Sequence, residues 1–222
     1  MPRLQGLIFD LDGTLVDSAP DLRQALNQML AEQGRRGVTL DEMKTFIGDG
    51  MQIVVQRAFA ATGEGISDDE SYPLYQDFVG HYRNQKADPS QLYPHVAETL
   101  EAYFQEGIKL GLCTNKQEAS TYRLLDDLKL APYFTFVAGG DTFPVRKPHP
   151  GHVTGVLKKL AVPAESCVMI GDSSNDVLAA KGAGIPCLVV THGYGADLGS
   201  LGTAGLVNNF RDLRKAMQGL GF

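Results

Sequence analysis

One nine-residue stretch, Leu7–Leu15, constrains the fold more than any other part of the chain. It reads Leu-Ile-Phe-Asp-Leu-Asp-Gly-Thr-Leu, a nearly continuous apolar run that ends abruptly in acid. A strand tolerates such a run without alternation only when both of its faces are covered, as in a parallel sheet. The stretch therefore predicts a buried parallel strand whose carboxyl end places Asp10 and Asp12 at the ligand-binding edge of an open α/β sheet.

The two acids at the end of this strand share one face, because they lie two residues apart in extended chain. Gly13 lets the backbone turn directly after them, and Thr14 adds a hydroxyl. Two carboxylates about 4 Å apart repel by roughly 4 kcal/mol at an effective dielectric constant near 20. Such a pair calls for a cation or a shared proton, whereas a simple polar turn is the alternative explanation.

The composition is that of an ordinary globular protein and excludes several classes. The 222 residues carry a net charge of -6, without the clustered Lys and Arg of a nucleic-acid-binding surface. There is no apolar run of about 18 residues that could span a membrane, and the N-terminus does not resemble a secretory leader. We therefore expect a cytoplasmic protein with no nucleic-acid or membrane partner. The three cysteines are predicted to be buried and unpaired: Cys113, Cys167 and Cys187.

The hydrophobic patterns divide the chain into two predicted domains. Residues 18–85 are almost wholly helical in pattern, with capping boxes at Thr39–Glu42 and Ser67–Glu70, although Pro73 makes the last helix begin or kink there. From Val96 onward strands alternate with helices, which is typical of a parallel sheet. We predict a Rossmann-like, doubly wound α/β core, residues 1–15 and 94–222, with an inserted α-helical cap domain, residues 16–93. The further strands are predicted at 108–114, 136–138, 167–170 and 186–190, and the closing helix at 210–217.

Polar side chains follow the other predicted strands as well. They are Thr114 and Asn115, Lys147 on a proline-stiffened loop, and Asp172 with Asp176 one helical turn later. Phosphoryl transfer to a carboxylate needs such a set: a nucleophile, a cation, donors for the phosphate oxygens and an acid for the leaving group. Carboxylate and water ligands favour Mg²⁺ as the metal.

These motifs, in this order, resemble those of haloacid-dehalogenase-superfamily phosphatases of the helical-cap branch, over essentially the whole chain. The resemblance implies that Asp10 is the nucleophile and Asp12 the acid/base. It implies that Thr114 and Asn115 bind phosphate oxygens and that Lys147 neutralises the phosphate and the nucleophile. It further implies Mg²⁺ bound by Asp10, Asp172 and the Asp12 carbonyl, with Asp176 acting from behind these ligands.

The substrate is expected to be a small phosphate ester covered by the cap. Gly48 and Gly50 precede a helix N-terminus that could hold an anionic tail, and Arg57 is a candidate for the same task, with a surface role as the alternative. Residues 47–51 and 191–195 are similar to phosphoglycolate phosphatases of this branch, which favours 2-phosphoglycolate. Phosphosugar phosphatase, β-phosphoglucomutase and pyrophosphatase activities remain alternatives, and a non-catalytic phosphate-binding module is a remote one. Either a monomer or a homodimer is compatible with the sequence.

Overall fold

The computed structural model describes residues 3–88, 91–196, 200 and 202–222, so positions 89–90 of the predicted return to the core lie outside the described residues. Its sheet has six strands: β1 Gly6–Phe9, β2 Lys109–Cys113, β3 Phe134–Ala138, β4 Cys167–Gly171, β5 Cys187–Val190 and β6 Gly205–Val207. All five pairings are parallel, and the spatial order is β3-β2-β1-β4-β5-β6. This is the order of a Rossmann-like doubly wound sheet, which confirms the predicted fold class.

The apolar run that opens the chain is explained by helices on both faces of this sheet. Leu7 and Phe9 pack into a cluster on one face, whereas Ile8 between them packs into a separate cluster on the other. All three side chains are fully buried. The covering helices are α5 Val96–Gln105, α6 Glu118–Asp127, α7 Pro150–Leu160, α8 Ser174–Gly182 and α9 Leu213–Gly219, preceded in the chain by α1 Ala19–Glu32, α2 Leu40–Phe46, α3 Met51–Thr62 and α4 Asp68–Arg83.

Helices α1 to α4 enclose a hydrophobic cluster of their own, with Leu26, Met29 and Phe78 at its centre. Both predicted capping boxes are present, at the starts of α2 and α4. Of the two alternatives predicted at Pro73, a helix start there is wrong, because α4 begins at Asp68, directly after its predicted cap, and continues through the proline. Pro73 is exposed, so water can hydrogen-bond to the carbonyl that its missing N–H leaves free.

Two elements of the α/β part differ from the sequence prediction. Strand β6 was not predicted, since three residues at the edge of a sheet leave too short a pattern to detect. The closing segment begins with a 3₁₀ turn at Phe210–Asp212 and becomes α-helical only from Leu213. Neither difference moves the strand ends that carry the predicted site.

The topology fixes where a ligand can bind. The chain runs from β1 to β2 and β3 on one side, then returns to β4 on the other side of β1. Ligands of open α/β sheets bind in the crevice outside the carboxyl ends at such a switch point. Here β1 is followed by Asp10 and β4 by Asp172. The α1–α4 segment leaves and rejoins the sheet where Val16 pairs with Leu92.

Candidate active site

A cavity of about 260 Å³ lies at the carboxyl ends of β1, β2 and β4. Its floor includes Asp10, Asp12, Thr114 and Asp172 from the sheet side. Its opposite wall comes from the α1–α4 segment, chiefly α2, α3 and the loop between them. The volume is below the roughly 300–1,000 Å³ of pockets for drug-sized ligands, so the cavity suits a small molecule.

Lys147 is held between two carboxylates beneath this cavity. Its Nζ lies 2.7 Å from Asp10 Oδ1 and 2.6 Å from Asp176 Oδ1, and its side chain is 2 % exposed. Burial disfavours the ammonium, but the two carboxylates outweigh that cost and raise the pKa of Lys147. The lysine is therefore a fixed positive charge beside the Asp10 carboxylate.

Asp176 holds both Lys147 and the residues that follow β4 in place. It is fully buried, and its Oδ2 accepts hydrogen bonds from Asp172 N at 3.1 Å, Ser173 N at 3.0 Å and Ser173 Oγ at 2.7 Å. With Oδ1 bonded to Lys147, both of its oxygens are already used. Asp176 therefore also closes the capping box that starts α8 and fixes the backbone of Asp172.

The carboxylates of Asp10, Asp172 and Asp176 form a group whose candidate ligand oxygens lie within 4.8 Å of one another. Burial, with Asp176 adding to it, raises the pKa of Asp10 to about 7, and burial with the neighbouring carboxylates raises the pKa of Asp172 well above its usual value. Three buried acids against the single contacting ammonium of Lys147 leave an excess of negative charge. Hard oxygen donors with excess negative charge fit a divalent cation such as Mg²⁺.

The backbone at Gly13 and Gly193 packs closely against the Asp172 side chain and fixes its position. Its Oδ2 accepts a hydrogen bond of 2.7 Å from Tyr194 N, and Thr14 Oγ1 lies 3.5 Å from its Oδ1. A β-carbon on Gly13 would lie 2.3 Å from that Oδ2, and one on Gly193 would lie 2.2 Å from the Asp172 β-carbon. Both glycines are therefore required by space, and Gly13 also by its φ of 84°.

Asp12 has a partner that the sequence analysis missed. Lys116 Nζ lies 3.2 and 3.3 Å from the two oxygens of the Asp12 carboxylate and 4.6 Å from the ring centroid of Tyr82 on α4. The Lys116 side chain is 1 % exposed, and its pKa is raised because the Asp12 charge outweighs the cost of burial. The only signal in the sequence was its position directly after Thr114 and Asn115.

Thr114 and Asn115 are both brought to the cavity, but they are not equivalent. Thr114 is buried, and its Oγ1 accepts a bond from Lys116 N, which leaves the hydroxyl proton available to a ligand. Asn115 Nδ2 donates to Gly48 O at 2.8 Å and to Lys147 O at 2.9 Å. These bonds use both amide protons, so the Asn115 side chain holds the backbone at Gly48 and at Lys147.

The loop with Gly48 and Gly50 lines the cavity, yet its charged groups are already paired. Arg57 forms an ion pair with Asp49 and donates to Phe46 O at 2.8 Å. Asn175 Nδ2 donates to Asp49 Oδ1 at 2.8 Å, which ties the loop to the start of α8. Arg57 is not among the residues that line the cavity, so its ion pair with Asp49 favours the alternative of a role outside the site.

His152, a helix-start residue by sequence, supports the loop that carries Lys147. It is fully buried, its Nδ1 accepts a bond from Lys147 N at 3.2 Å, and its Nε2 contacts Gly139 O at 3.1 Å. Since an N–H must donate to Nδ1 and a carbonyl can only accept, the ring is the neutral tautomer protonated at Nε2. Burial, with help from the Lys147 charge, lowers the pKa of His152 to about 4.

The family assignment follows from comparison with known proteins. The family model of haloacid dehalogenase-like hydrolases matches residues 7–190, a range that contains all the acidic and lysine side chains of the site described above. The chain belongs to this family. Three buried, unpaired cysteines agree with the sequence prediction, and no helix in the described part of the chain is long and apolar enough to cross a membrane.

Relatives within the family narrow the reaction class. The chain is 43% identical over 187 residues to a phosphoglycolate phosphatase of Agrobacterium fabrum, covering 84% of this chain and 80% of the relative. It is 40% identical over 217 residues to phosphoglycolate phosphatase 1 of Pseudomonas aeruginosa, covering 96% and 79%. A crystal structure of a predicted phosphoglycolate phosphatase from Haemophilus somnus superposes with a TM-score of 0.91 at 30% identity, covering 98% of this chain and all of the other. This haloacid dehalogenase-like hydrolase is a phosphatase, a phosphoric monoester hydrolase.

Proposed function

We propose that this phosphatase hydrolyses 2-phosphoglycolate to glycolate and phosphate through a phosphoaspartate at Asp10, with Mg²⁺ as cofactor. The observation that carries the proposal is the Asp10 carboxylate, which lines a small cavity and lies 2.7 Å from the buried Lys147 ammonium. The residues that would hold the metal are Asp10, Asp172 and the Asp12 main-chain carbonyl. When bound, Mg²⁺ screens the charge of the phosphate dianion from the carboxylates and orients it.

In the first half-reaction the Asp10 carboxylate attacks phosphorus, and the bond between phosphorus and the ester oxygen breaks. Asp12 gives its proton to that oxygen, so glycolate leaves as the alcohol. Lys147 balances the charge on Asp10 and on the phosphoryl oxygens, while the Thr114 hydroxyl donates to one of them. Lys116 holds the Asp12 carboxylate in place through its two contacts.

In the second half-reaction the Asp12 carboxylate takes a proton from water. The resulting hydroxide attacks phosphorus, the bond to the Asp10 oxygen breaks, and inorganic phosphate leaves. Asp10 is then a carboxylate again and Asp12 is protonated for the next ester. One residue thus serves as acid and then as base.

Residues 16–93 are proposed to act as a cap over this chemistry, with residues 1–15 and 94–222 as the core domain. In support, α1 to α4 have their own hydrophobic cluster and touch the core through Asn115 and Asn175, which both donate to Gly48 O. A lid of this kind excludes water while the phosphoryl group is transferred. The small volume of the cavity supports a small-molecule ester as the partner.

The cap wall of the cavity favours phosphoglycolate over a sugar phosphate. Its polar side chains, in the part of the chain that the structure describes, are Lys44 and Thr45, and the Thr45 hydroxyl donates to Glu42 O at 2.7 Å. A sugar carries several hydroxyl groups, each of which loses water on binding and needs a partner. A leaving group with a single charged end needs only one such partner from the protein.

The experiment is a panel of phosphate esters assayed with Mg²⁺ for released phosphate. We expect 2-phosphoglycolate to have the highest kcat/KM, all activity to stop on chelation, and Asp10→Asn to leave under about 1 % of the wild-type rate with an unchanged fold. Faster turnover of sugar phosphates or of pyrophosphate would contradict the substrate. Absence of turnover of any ester, an aryl phosphate included, would instead identify a phosphate-binding module.

A further inference from the structure

Lys44 lies where the proposed substrate would place its second charge. It belongs to the last turn of α2, is partly exposed, and lines the cavity from the side opposite the carboxyl ends of the strands. The phosphate end of a small ester is fixed by Asp10 on the sheet side. The other end of the ester must therefore point toward the wall that contains Lys44.

Three of the other cations around the site are already paired with carboxylates, and a fourth, Arg146, is exposed beside Gly50 and is not among the residues that line the cavity. Lys147 contacts Asp10 and Asp176, Lys116 contacts Asp12, and Arg57 contacts Asp49. Lys44, by contrast, has neither an ion pair nor a side-chain hydrogen bond with any residue in the described ranges. It is a cation at the cavity surface with no counter-charge from the protein.

The wall of the cavity that contains Lys44 is otherwise mostly apolar. The neighbouring side chains of the same wall are apolar and include Leu22, Met51, Val54 and Phe78, which are all nearly or fully buried. An anion brought to Lys44 from within the cavity lies beside this apolar surface, where it interacts with a cation more strongly than it would in open water. The wall therefore offers one strong contact, and that contact takes a negative charge.

We propose that Lys44 binds the carboxylate of the substrate and so selects phosphate esters with an anionic leaving group. The inference rests on the proposed function, whose phosphate end it leaves unchanged. Lys44 thus takes the place of the loop at Gly48 and Gly50 as the main group that binds the anionic tail. That loop is less suited to an anion, because its Asp49 is itself negative and is paired with Arg57. Lys44 is a specificity residue and takes no part in bond breaking.

The test compares two esters of the same shape, 2-phosphoglycolate and its uncharged amide, 2-phosphoglycolamide. In Lys44→Met we expect kcat/KM for phosphoglycolate to fall about 10- to 100-fold, mostly through KM, as for the loss of one charge-assisted hydrogen bond. The amide should change less than about threefold, since it makes no ion pair. Lys158→Met, at an exposed position of α7, is the matched control and should match wild type with both esters.

A charge reversal supplies the complementary result. Lys44→Glu should disfavour phosphoglycolate further and raise the relative rate with 2-aminoethyl phosphate, whose leaving group is cationic. Equal losses of kcat/KM with the acid and the amide in Lys44→Met, or no loss with either, would overturn the role of Lys44. The proposed function would still stand in that case, provided that the wild type prefers phosphoglycolate to the amide. If wild type itself turns over the amide as well as the acid, both the substrate and the role of Lys44 are refuted.

Discussion

Acid should destabilise this protein through His152 before it protonates most surface carboxylates. The folded ring has a pKa of about 4, against 6.5 in the unfolded chain. Between these values the unfolded state binds the extra proton, so stability is complete above pH 6.5 and is lost as the pH falls toward 4. The linkage relation gives a loss of about 2 kcal/mol at pH 5 and about 3 kcal/mol below pH 4.

The same protonation acts on the site, because a proton on Nδ1 removes the acceptor for Lys147 N. The measurement is urea unfolding at pH 7.5 and pH 5 for wild type, His152→Gln and His149→Gln, at one fixed Mg²⁺ concentration. Between pH 7.5 and pH 5, the free energy of unfolding of wild type and of the exposed control His149→Gln should fall by about 2 kcal/mol more than that of His152→Gln. For a domain of this size that corresponds to about 4–8 °C in Tm.

Two results would refute this reasoning. One is an equal pH-dependent loss in His152→Gln and in wild type, which would mean that other groups bind the protons. The other is a titration of the wild-type ring, followed by NMR, with a midpoint near 6.5. The second measurement needs no variant, so it decides the question even if His152→Gln folds poorly.

Two further substitutions test the placement of the acids. Lys116→Met should lower kcat about 10- to 100-fold and also lower Tm, since Asp12 loses its charge-assisted partner in a largely buried pair. Lys158→Met is the exposed control. Full activity in Lys116→Met would count against a role in holding Asp12. Gly13→Ala should abolish turnover because its β-carbon would lie 2.3 Å from Asp172 Oδ2, whereas Gly34→Ala, also at positive φ but with open space around it, should keep its activity. Equal activity of the two alanine variants would show that Asp172 does not need its present position.

The sequence predicted the fold well because its strongest patterns come from burial on both faces of a sheet. Leu7, Ile8 and Phe9 face two different clusters, and no polar residue is tolerated among them. The capping boxes at Thr39 and Ser67 are local and therefore also readable from sequence. Strand β6 was not predicted because it is short and lies at the edge of the sheet, where little burial is required.

The site was predictable wherever a side chain directly follows a strand. Asp10, Thr114 and Asp172 meet because parallel strands end at one edge, and Lys147 and Asp176 join them on the loop and helix that follow. The contact of Lys116 with Tyr82 was not predictable, since it depends on how α4 lies against the core. Spacing along the chain carries no information about such contacts.

The central claim is that Asp10 carries the phosphoryl group during turnover. The direct measurement mixes enzyme, Mg²⁺ and 2-phosphoglycolate, quenches with acid within one turnover, and locates phosphate on the digested protein by mass spectrometry. We expect the mass of one phosphoryl group on the peptide that contains Asp10, and none in Asp10→Asn. Burst release of glycolate without phosphate on that peptide, or with phosphate on another residue, would contradict the account.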